Sequence, residues 1–271
     1  MKTAAALRVL ITGAAGGIGR TLQQGLAGRY ALLRLADIRP VTPAGPNEEA
    51  ATCDITDPQA VAAVMQDIDC VVHLAGVPRE GPWDAIHPNN IVGTWNVFEQ
   101  ARANGVRRIV YASSNHVVGY YRAATRVGTE VTPRPDSRYG VSKVFGEALG
   151  RLYADKHGID VACLRIGSFR RQPEDARQLA TWISHGDMTE LARCAIEAAN
   201  YHYIVVYGVS ANTRTRWDNP DAARIGYVPR DNAEQYAAQF PDAGDPDDPV
   251  NVFHGGPFCG MEWHGRIDDI E

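Results

Sequence analysis

The sequence lacks long hydrophobic runs, basic stripes and closely paired cysteines. No stretch approaches the roughly 20 apolar residues that a membrane-spanning helix needs, and residues 1–7 are too short and too weakly apolar for a secretory signal. The net charge is −5 and no cluster of lysine or arginine is present, which argues against a nucleic-acid surface. We therefore predict a cytoplasmic protein that binds neither membranes nor nucleic acids.

Cysteine is also scarce. The chain has five cysteines, an odd number with no CxxC spacing: Cys53, Cys70, Cys163, Cys194 and Cys259. Structural zinc sites and disulfide frameworks use closely spaced pairs, so we predict no metal and no disulfide. A chain of 271 residues buries enough apolar surface to fold without them. The cysteines are best interpreted as small buried hydrophobic residues.

Short apolar runs alternate with longer helix-like segments along the chain. This alternation is typical of βαβ units and predicts the α/β class, with a Rossmann-type doubly wound parallel sheet. Strands are predicted at residues 8–12, 31–36, 70–74, 108–112, 160–165 and 203–206, with a weaker one at 50–53. Helices are predicted at residues 17–27, 58–65, 89–104, 139–156 and 189–199, with shorter ones at 219–226 and 232–240. Asp187 is the predicted N-cap of the helix at 189–199. Residues 241–249 are predicted to be a loop, and the last twenty or so residues show no assignable pattern.

A glycine-rich turn joins the first predicted strand to the first predicted helix. Its glycines permit a tight turn and close approach of the backbone to a pyrophosphate, and the helix N-terminus attracts anions. Glycine spacing alone could merely connect a strand to a helix, but the position between those two elements favours a phosphate loop. The predicted contacts with a dinucleotide cofactor are Gly13, Gly16, Gly17, Ile18 and Gly19.

An aspartate, Asp37, ends the second predicted strand. A carboxylate there can accept both ribose hydroxyls and would repel the 2′-phosphate of NADP, which favours NAD. Asp37 could instead be a turn or cap residue, and Arg39 could hold a phosphate. Further cofactor contacts are predicted at sites that could also be plain turns: Asp54, Ile55, Leu74 and Ala75.

Tyr139 and Lys143 stand four residues apart, on one face of a predicted helix. A neighbouring ammonium stabilises a phenolate, so Tyr139 could accept a hydroxyl proton during oxidation, and Lys143 would also bind the nicotinamide ribose. The pair could be an ordinary surface pair. A serine at the end of the 108–112 strand argues against that reading, because carboxyl ends of parallel strands face the ligand crevice. Ser114 is the better candidate to polarise the substrate oxygen, and Ser113 is expected to pack inward.

These three motifs together resemble the short-chain dehydrogenase/reductase family. Residues 73–76 and 90–96 are similar to its extended branch, and the resemblance covers about residues 8–240. It implies a cofactor-binding part with the catalytic serine, tyrosine and lysine at residues 1–159. Residues 160–271 would hold the last strands, a small substrate-binding part and the C-terminal tail. It also implies a homo-oligomer, and places Asn90 beside the site, where it could equally be a buried structural residue.

Several longer strings resemble the uronate dehydrogenases within that branch. They lie at residues 112–116, 118–121, 164–168, 181–185, 206–212 and 217–219. The resemblance implies NAD-dependent oxidation of the C1 hydroxyl of cyclic D-galacturonate or D-glucuronate to the aldarolactone, with Tyr139 as the base. The expected partner is therefore a small-molecule uronate.

A uronate carries a carboxylate, which a guanidinium can bind through two hydrogen bonds. By resemblance Arg177 fills that role, with Arg165, Arg170 and Arg171 as rivals. The same resemblance assigns Ser114, Asn115, His116 and Ser168 to the substrate and Phe169 to the nicotinamide. His116 could instead be a packed histidine at a strand end.

Two other functions remain open from the sequence. One is a nucleotide-sugar epimerase or dehydratase, although such enzymes usually carry a larger C-terminal region than the roughly 100 residues that follow Arg165 here. The other is a non-catalytic NAD-sensing protein, since a fold does not fix a function. The intact set of Ser114, Tyr139 and Lys143 speaks against the second.

Overall fold

The apolar runs of the sequence form a seven-stranded sheet in the computed structural model, which describes residues 2–199, 201–241, 245 and 247–270. Its strands are β1 (Arg8–Thr12), β2 (Leu32–Asp37), β3 (Glu48–Thr52), β4 (Cys70–His73), β5 (Arg108–Ser114), β6 (Asp160–Ile166) and, later in the chain, Tyr203–Gly208. A separate two-stranded sheet pairs β7 (Ser168–Phe169) with β8 (Trp182–Ile183), so Tyr203–Gly208 is β9. The large sheet has the order β3-β2-β1-β4-β5-β6-β9.

All neighbouring strands of the large sheet run parallel. Such sheets are covered on both faces, which explains why β1 and β5 are continuous apolar or small runs. Along β1, Val9 and Ile11 enter one core and Leu10 enters the other. The predicted α/β class and doubly wound parallel sheet are confirmed.

The helices are α1 (Gly17–Gly25), α2 (Pro58–Val64), α3 (Trp83–Ile86), α4 (Gly93–Ala103), α5 (Arg138–His157), α6 (Gln178–Thr181), α7 (His185–Glu197), α8 (Asp221–Arg224), α9 (Pro249–Val252) and α10 (Pro257–Gly260). Helices α1, α7 and α8 pack into one core, and α2, α4 and α5 pack into the other. Helix α1 packs against α7, and α4 packs against α2 and α5. No helix in the described ranges is both long and apolar enough to span a membrane.

Two predicted helices begin elsewhere in the structure. The predicted N-cap at Asp187 is wrong, because α7 begins at His185 and the Ser184 hydroxyl accepts from the Asp187 N–H. The Asp187 carboxylate instead accepts the backbone N–H groups of Arg230 and Asp231. The predicted helix at 89–104 starts as a wider π-helical turn, His87–Val92, and becomes α-helical only at Gly93.

The C-terminal part of the chain folds back onto residues 119–123, which follow β5. Asn232 caps a 3₁₀ helix, Ala233–Gln239, where the sequence predicts a helix. In the predicted loop at 241–249, residues 242–244 and 246 lie outside the described residues, and Pro249 already begins α9. The last twenty residues, without a pattern in the sequence, contain α10 and a 3₁₀ turn at Ile267–Asp269.

Candidate active site

The glycine-rich turn lies where the strand order reverses, between β1 and β4. Ligands of doubly wound sheets bind at this point, beside the carboxyl ends of the strands. Gly13 has a φ of +76°, and a Cβ added to it would lie 2.7 Å from the Ala75 backbone nitrogen. Gly17 is open, because a Cβ there would meet only the Phe169 ring, at 3.7 Å. The turn therefore packs against Leu74 and Ala75 on one side and leaves space towards Phe169 on the other.

Asp37 is buried at the end of β2 and is tied to the glycine-rich turn. Its Oδ2 accepts from the Ala15 N–H at 2.9 Å, and its Oδ1 accepts from the Arg39 N–H at 2.9 Å. The Arg39 side chain is exposed and approaches the same carboxylate at 3.4 Å. Asp37 thus carries its charge beside the phosphate loop, and Arg39 partly neutralises it.

Two further predicted cofactor contacts, Asp54 and Ile55, lie beyond β3. The Asp54 carboxylate accepts from the N–H and the hydroxyl of Thr56, both at 2.8 Å. Ile55 is buried against Gly93. The structure thus accounts for Asp54 and Ile55 as turn residues, and their role in cofactor binding stays a prediction.

The structure brings Ser114, Tyr139 and Lys143 together. Ser114 ends β5 and hydrogen-bonds Tyr139, which lies in the first turn of α5. The Lys143 ammonium donates to the Ala112 carbonyl at 2.8 Å and lies 5.4 Å from the centre of the Tyr139 ring. As expected, Ser113 points away from this group and donates to Glu147 at 2.6 Å.

Burial governs the titration of this pair. It raises the pKa of Tyr139 to about 12, although the hydrogen bond with Ser114 lowers it. It lowers the pKa of Lys143 to about 8. A second positive charge near the phenol would be needed to bring the Tyr139 pKa towards neutrality.

Asn115 and His116 continue from Ser114 in a short 3₁₀ helix. The Asn115 Nδ2 atom is buried and has no partner within the described residues. The His116 ring lies 5.7 Å from that of Tyr139 and stacks on Phe258 with 4.0 Å between ring centres. His116 is therefore packed, but beside Tyr139, the candidate proton acceptor.

Arg177 immediately precedes α6, with its Nε atom buried and, in the described part of the chain, without a partner. Burial lowers the pKa of its guanidinium. One NH group approaches the His254 carbonyl at 3.4 Å, and the side chain lies directly against Gly256. Ser168 reaches the same helix through the Thr181 hydroxyl, at 2.9 Å. Arg177 and Ser168 therefore converge on α6.

The rival arginines are engaged or lie on the surface. Arg165 forms a buried pair with Glu147, with both hydrogen bonds at 2.9 Å. Arg170 is exposed and pairs with Glu174, and Arg171 is exposed. Arg165 is excluded as a binding group for a substrate carboxylate because Glu147 already occupies its guanidinium. Among these four arginines, Arg177 is the one that has a buried donor without a partner in the described residues.

Comparison with known proteins identifies this arrangement. The model of the NAD dependent epimerase/dehydratase family matches residues 9–193. The chain belongs to this family.

Within the family, this member is similar to the uronate dehydrogenases, which confirms the resemblance in the sequence. It is 42% identical to the uronate dehydrogenase of Pseudomonas putida, over 93% of this chain and 95% of that protein. It is 45% identical to that of Agrobacterium fabrum, over 93% and 96%. The solved structure of a mutant uronate dehydrogenase from Agrobacterium tumefaciens, complexed with NAD, matches with a TM-score of 0.89 and 44% identity, over 94% of this chain and 97% of that one.

The residues of this family member fit a dinucleotide. Gly13 leaves no room for a side chain against the backbone of residues 74–75, and Gly19 leaves none against the backbone of residues 13–14, while a Cβ at Gly17 would meet only the Phe169 ring. The Asp37 carboxylate lies at the end of β2, within reach of this turn. No group of three or more histidine, cysteine, aspartate or glutamate side chains in the described ranges is placed to hold a metal ion. All five cysteines are free and buried, which confirms their interpretation as small core residues.

Two residues near the site, Asp136 and Phe258, were missed by the sequence analysis. Asp136 accepts from His116 Nδ1 at 2.7 Å, and Phe258 stacks on the same ring. Asn90, left open between two roles, is buried and bonds both Val77 and Ser142, which favours its structural role. The one sequence signal for these contacts is the pair of glycines at 255 and 256, which indicates that the backbone of the C-terminal segment approaches another part of the chain closely.

Proposed function

We propose that this protein oxidises the C1 hydroxyl of cyclic D-galacturonate or D-glucuronate with NAD and forms the aldarolactone. A uronate as the substrate is supported by the names of its relatives, uronate dehydrogenases at 42% and 45% identity. NAD as the cofactor is further supported by the complex of a relative with NAD. Asp37 favours NAD over NADP, because its carboxylate would repel a 2′-phosphate.

The observation that carries the substrate assignment is the buried Nε of Arg177, which has no partner among the described residues. Leaving a buried donor unpaired costs roughly 1–3 kcal/mol. A bound carboxylate would pair it, and a guanidinium matches a carboxylate in shape and charge. Residues 254–258 contact both Arg177 and His116. These contacts support the proposal that Arg177 holds the carboxylate end of a sugar whose C1 lies at Tyr139.

The other residues then take roles that follow from their positions. Tyr139 accepts the proton of the C1 hydroxyl, and Ser114 donates to the oxygen that becomes the carbonyl. Lys143 holds positive charge beneath the Tyr139 ring. Hydroxyls of the sugar are met by polar side chains of the same wall: Asn115, His116 and Ser168.

NAD, when bound, accepts the hydrogen that leaves C1 as hydride, and its positively charged ring favours the Tyr139 phenolate. C1 is already bonded to the ring oxygen, so removing its hydrogen and its hydroxyl proton gives a lactone directly. The reaction therefore needs no bound water. The chain's own task is to orient the pyranose and to remove one proton.

The test is NADH absorbance after purified protein and NAD are mixed with galacturonate, glucuronate, galactose or UDP-glucuronate in parallel. We expect rapid NADH formation with both free uronates and little with galactose, which lacks the carboxylate. Turnover of the nucleotide sugar alone would overturn the assignment in favour of an epimerase or dehydratase.

A second measurement addresses the non-catalytic, NAD-sensing alternative. We expect Tyr139→Phe to lower kcat for uronate oxidation by about 10²- to 10⁴-fold, the usual contribution of a general base. Tyr236→Phe, a matched change in the 3₁₀ helix at Ala233–Gln239, should leave kcat unchanged. Equal rates for both variants would contradict the role of Tyr139.

The organisation of the chain is part of the same proposal. Residues 1–159 bind the cofactor and carry the catalytic set, and residues 160–271 supply the last strands and the substrate-binding part, which is supported by the position of Arg177. A homo-oligomer is supported by exposed apolar side chains on α4 and α5: Trp95, Val141 and Leu152. A cytoplasmic location is supported by five unpaired thiols, which a reducing compartment preserves.

A further inference from the structure

The Asp136 carboxylate is enclosed by two loops beside the candidate site. Its side chain has no exposed surface. Gly119 faces it from the segment after β5, and Gly255 faces it from the C-terminal segment. A Cβ added to either glycine would overlap an Asp136 oxygen. Both loops therefore have a glycine where they contact the carboxylate, and this close packing fixes the position of the Asp136 side chain.

Asp136 joins His116 to the start of the helix that carries Tyr139. Its Oδ2 accepts from His116 Nδ1 at 2.7 Å, and its Oδ1 accepts from the Ser137 hydroxyl at 2.7 Å. Ser137 is the N-cap of α5 and also accepts from the Gly140 N–H. An ionised carboxylate has no proton to donate, so Nδ1 of His116 must carry the proton in this bond.

The other ring nitrogen of His116 then has a lone pair to offer. In a neutral imidazole that is protonated at Nδ1, Nε2 is an acceptor. Within the described chain Nε2 makes no hydrogen bond, whereas Nδ1 has its carboxylate partner. Phe258 stacks on the ring at an interplanar angle of 14° and restrains its rotation. The acceptor therefore has a fixed direction beside Tyr139.

We propose that Asp136 is a positioning residue that fixes the Nδ1–H tautomer of His116, so that Nε2 accepts a hydrogen bond from a hydroxyl of the bound uronate. In the opposite tautomer Nε2 carries the proton and is itself a donor. The proton of the sugar hydroxyl would then have no acceptor at this nitrogen. The identity of the sugar rests on the proposed function. The state of the histidine ring does not.

The first test reads the tautomer directly and needs no substrate. Protein labelled with ¹⁵N-histidine is studied by NMR at pH 8, and His116→Gln identifies the His116 signals among those of the eight histidines. We expect a neutral ring protonated at Nδ1 in the unchanged protein. A ring protonated at Nε2, or at both nitrogens, overturns the proposal, whatever the enzyme assay shows.

The second test separates positioning from folding. Asp136→Asn exchanges one acceptor oxygen for an NH₂ donor, so it no longer fixes the tautomer. We expect KM for the uronate to rise about tenfold, the value of roughly one hydrogen bond, while the melting temperature changes little. We expect kcat not to fall, because the Asp136 charge raises the pKa of Tyr139 and its removal favours the phenolate. Asp221→Asn, in α8, is the matched control and should leave KM unchanged.

A double-mutant cycle completes the experiment. If Asp136 acts through His116, adding Asp136→Asn to His116→Gln should cause no further rise in KM. Independent, multiplying effects overturn the proposal, as does an unchanged KM in Asp136→Asn. Should Asp136→Asn not fold, the NMR measurement on the unchanged protein still decides. Absence of uronate turnover with a ring protonated at Nδ1 would contradict the proposed function alone.

Discussion

At the scale of single residues, burial acts in opposite directions on the two titratable groups of the catalytic pair. It disfavours the phenolate of Tyr139, whose pKa rises to about 12, and the ammonium of Lys143, whose pKa falls to about 8. Each charged form stabilises the other when both are present. The pKa values of both groups therefore depend on any third charge that enters the site.

The pH dependence of activity follows from this coupling. In the proposed reaction Tyr139 accepts the proton, so activity should rise with pH along the acidic limb of the profile. A positive neighbour lowers the pKa of a phenol, so removing it in Lys143→Met should move that limb to higher pH. The pH profile of kcat, measured for both proteins, checks this. A limb at the same pH in both would show that Lys143 does not influence the proton acceptor.

Arg177 provides a second prediction at this scale. Arg177→Gln should raise KM for glucuronate by about 10- to 100-fold, since hydrogen bonds to charged groups contribute roughly 1.5–3 kcal/mol. Arg171→Gln removes an exposed arginine from the same region and is the matched control. Steady-state kinetics of both variants give the comparison. Equal KM values would assign the carboxylate to another group.

At the scale of elements, helix starts were the least predictable feature. Asp187 and Ser184 are both good N-cap residues, and the sequence alone does not rank them. The choice depends on residues 230 and 231, whose backbone N–H groups occupy the Asp187 carboxylate. A contact over more than 40 residues thus decides a local boundary, and no local pattern contains it.

The cap of α7 can be tested by stability. Ser184→Ala removes the acceptor of the Asp187 N–H and the donor to Asp231, so it should lower the free energy of unfolding by about 1 kcal/mol. Ser184→Thr keeps the hydroxyl and should lose much less. Thermal or denaturant unfolding of the two variants makes the comparison. Equal losses would place the cap elsewhere.

At the scale of the whole molecule, the sheet and the cofactor half could be predicted and the tail could not. Strands β1, β4, β5 and β6 are marked by local apolar runs, and Gly13, Tyr139 and Lys143 by local spacings. Asp136 and Phe258 reach the site only through tertiary contacts with His116. Their positions depend on contacts between segments that lie far apart in the chain, which no short window encodes.

The choice of cofactor is a property of the folded molecule as a whole and can be measured as such. NAD binds only the folded state, so it should raise the melting temperature by several degrees at concentrations well above its Kd, and NADP should raise it less. Asp37→Asn removes the repelling charge beside Arg39 and should narrow the difference between the two cofactors. Thermal unfolding with each cofactor tests this. An equal shift by both in the unchanged protein would contradict the role of Asp37.

The return of residues 254–258 to Arg177 and His116 has a consequence for protein synthesis. A ribosome makes the chain from its N-terminus, and folding proceeds in that order. The glycine-rich turn therefore emerges well before the segment that contacts Arg177 and His116. Until residues 254–258 have emerged, a nascent chain would hold Arg177 and His116 without the contacts that restrain these two side chains.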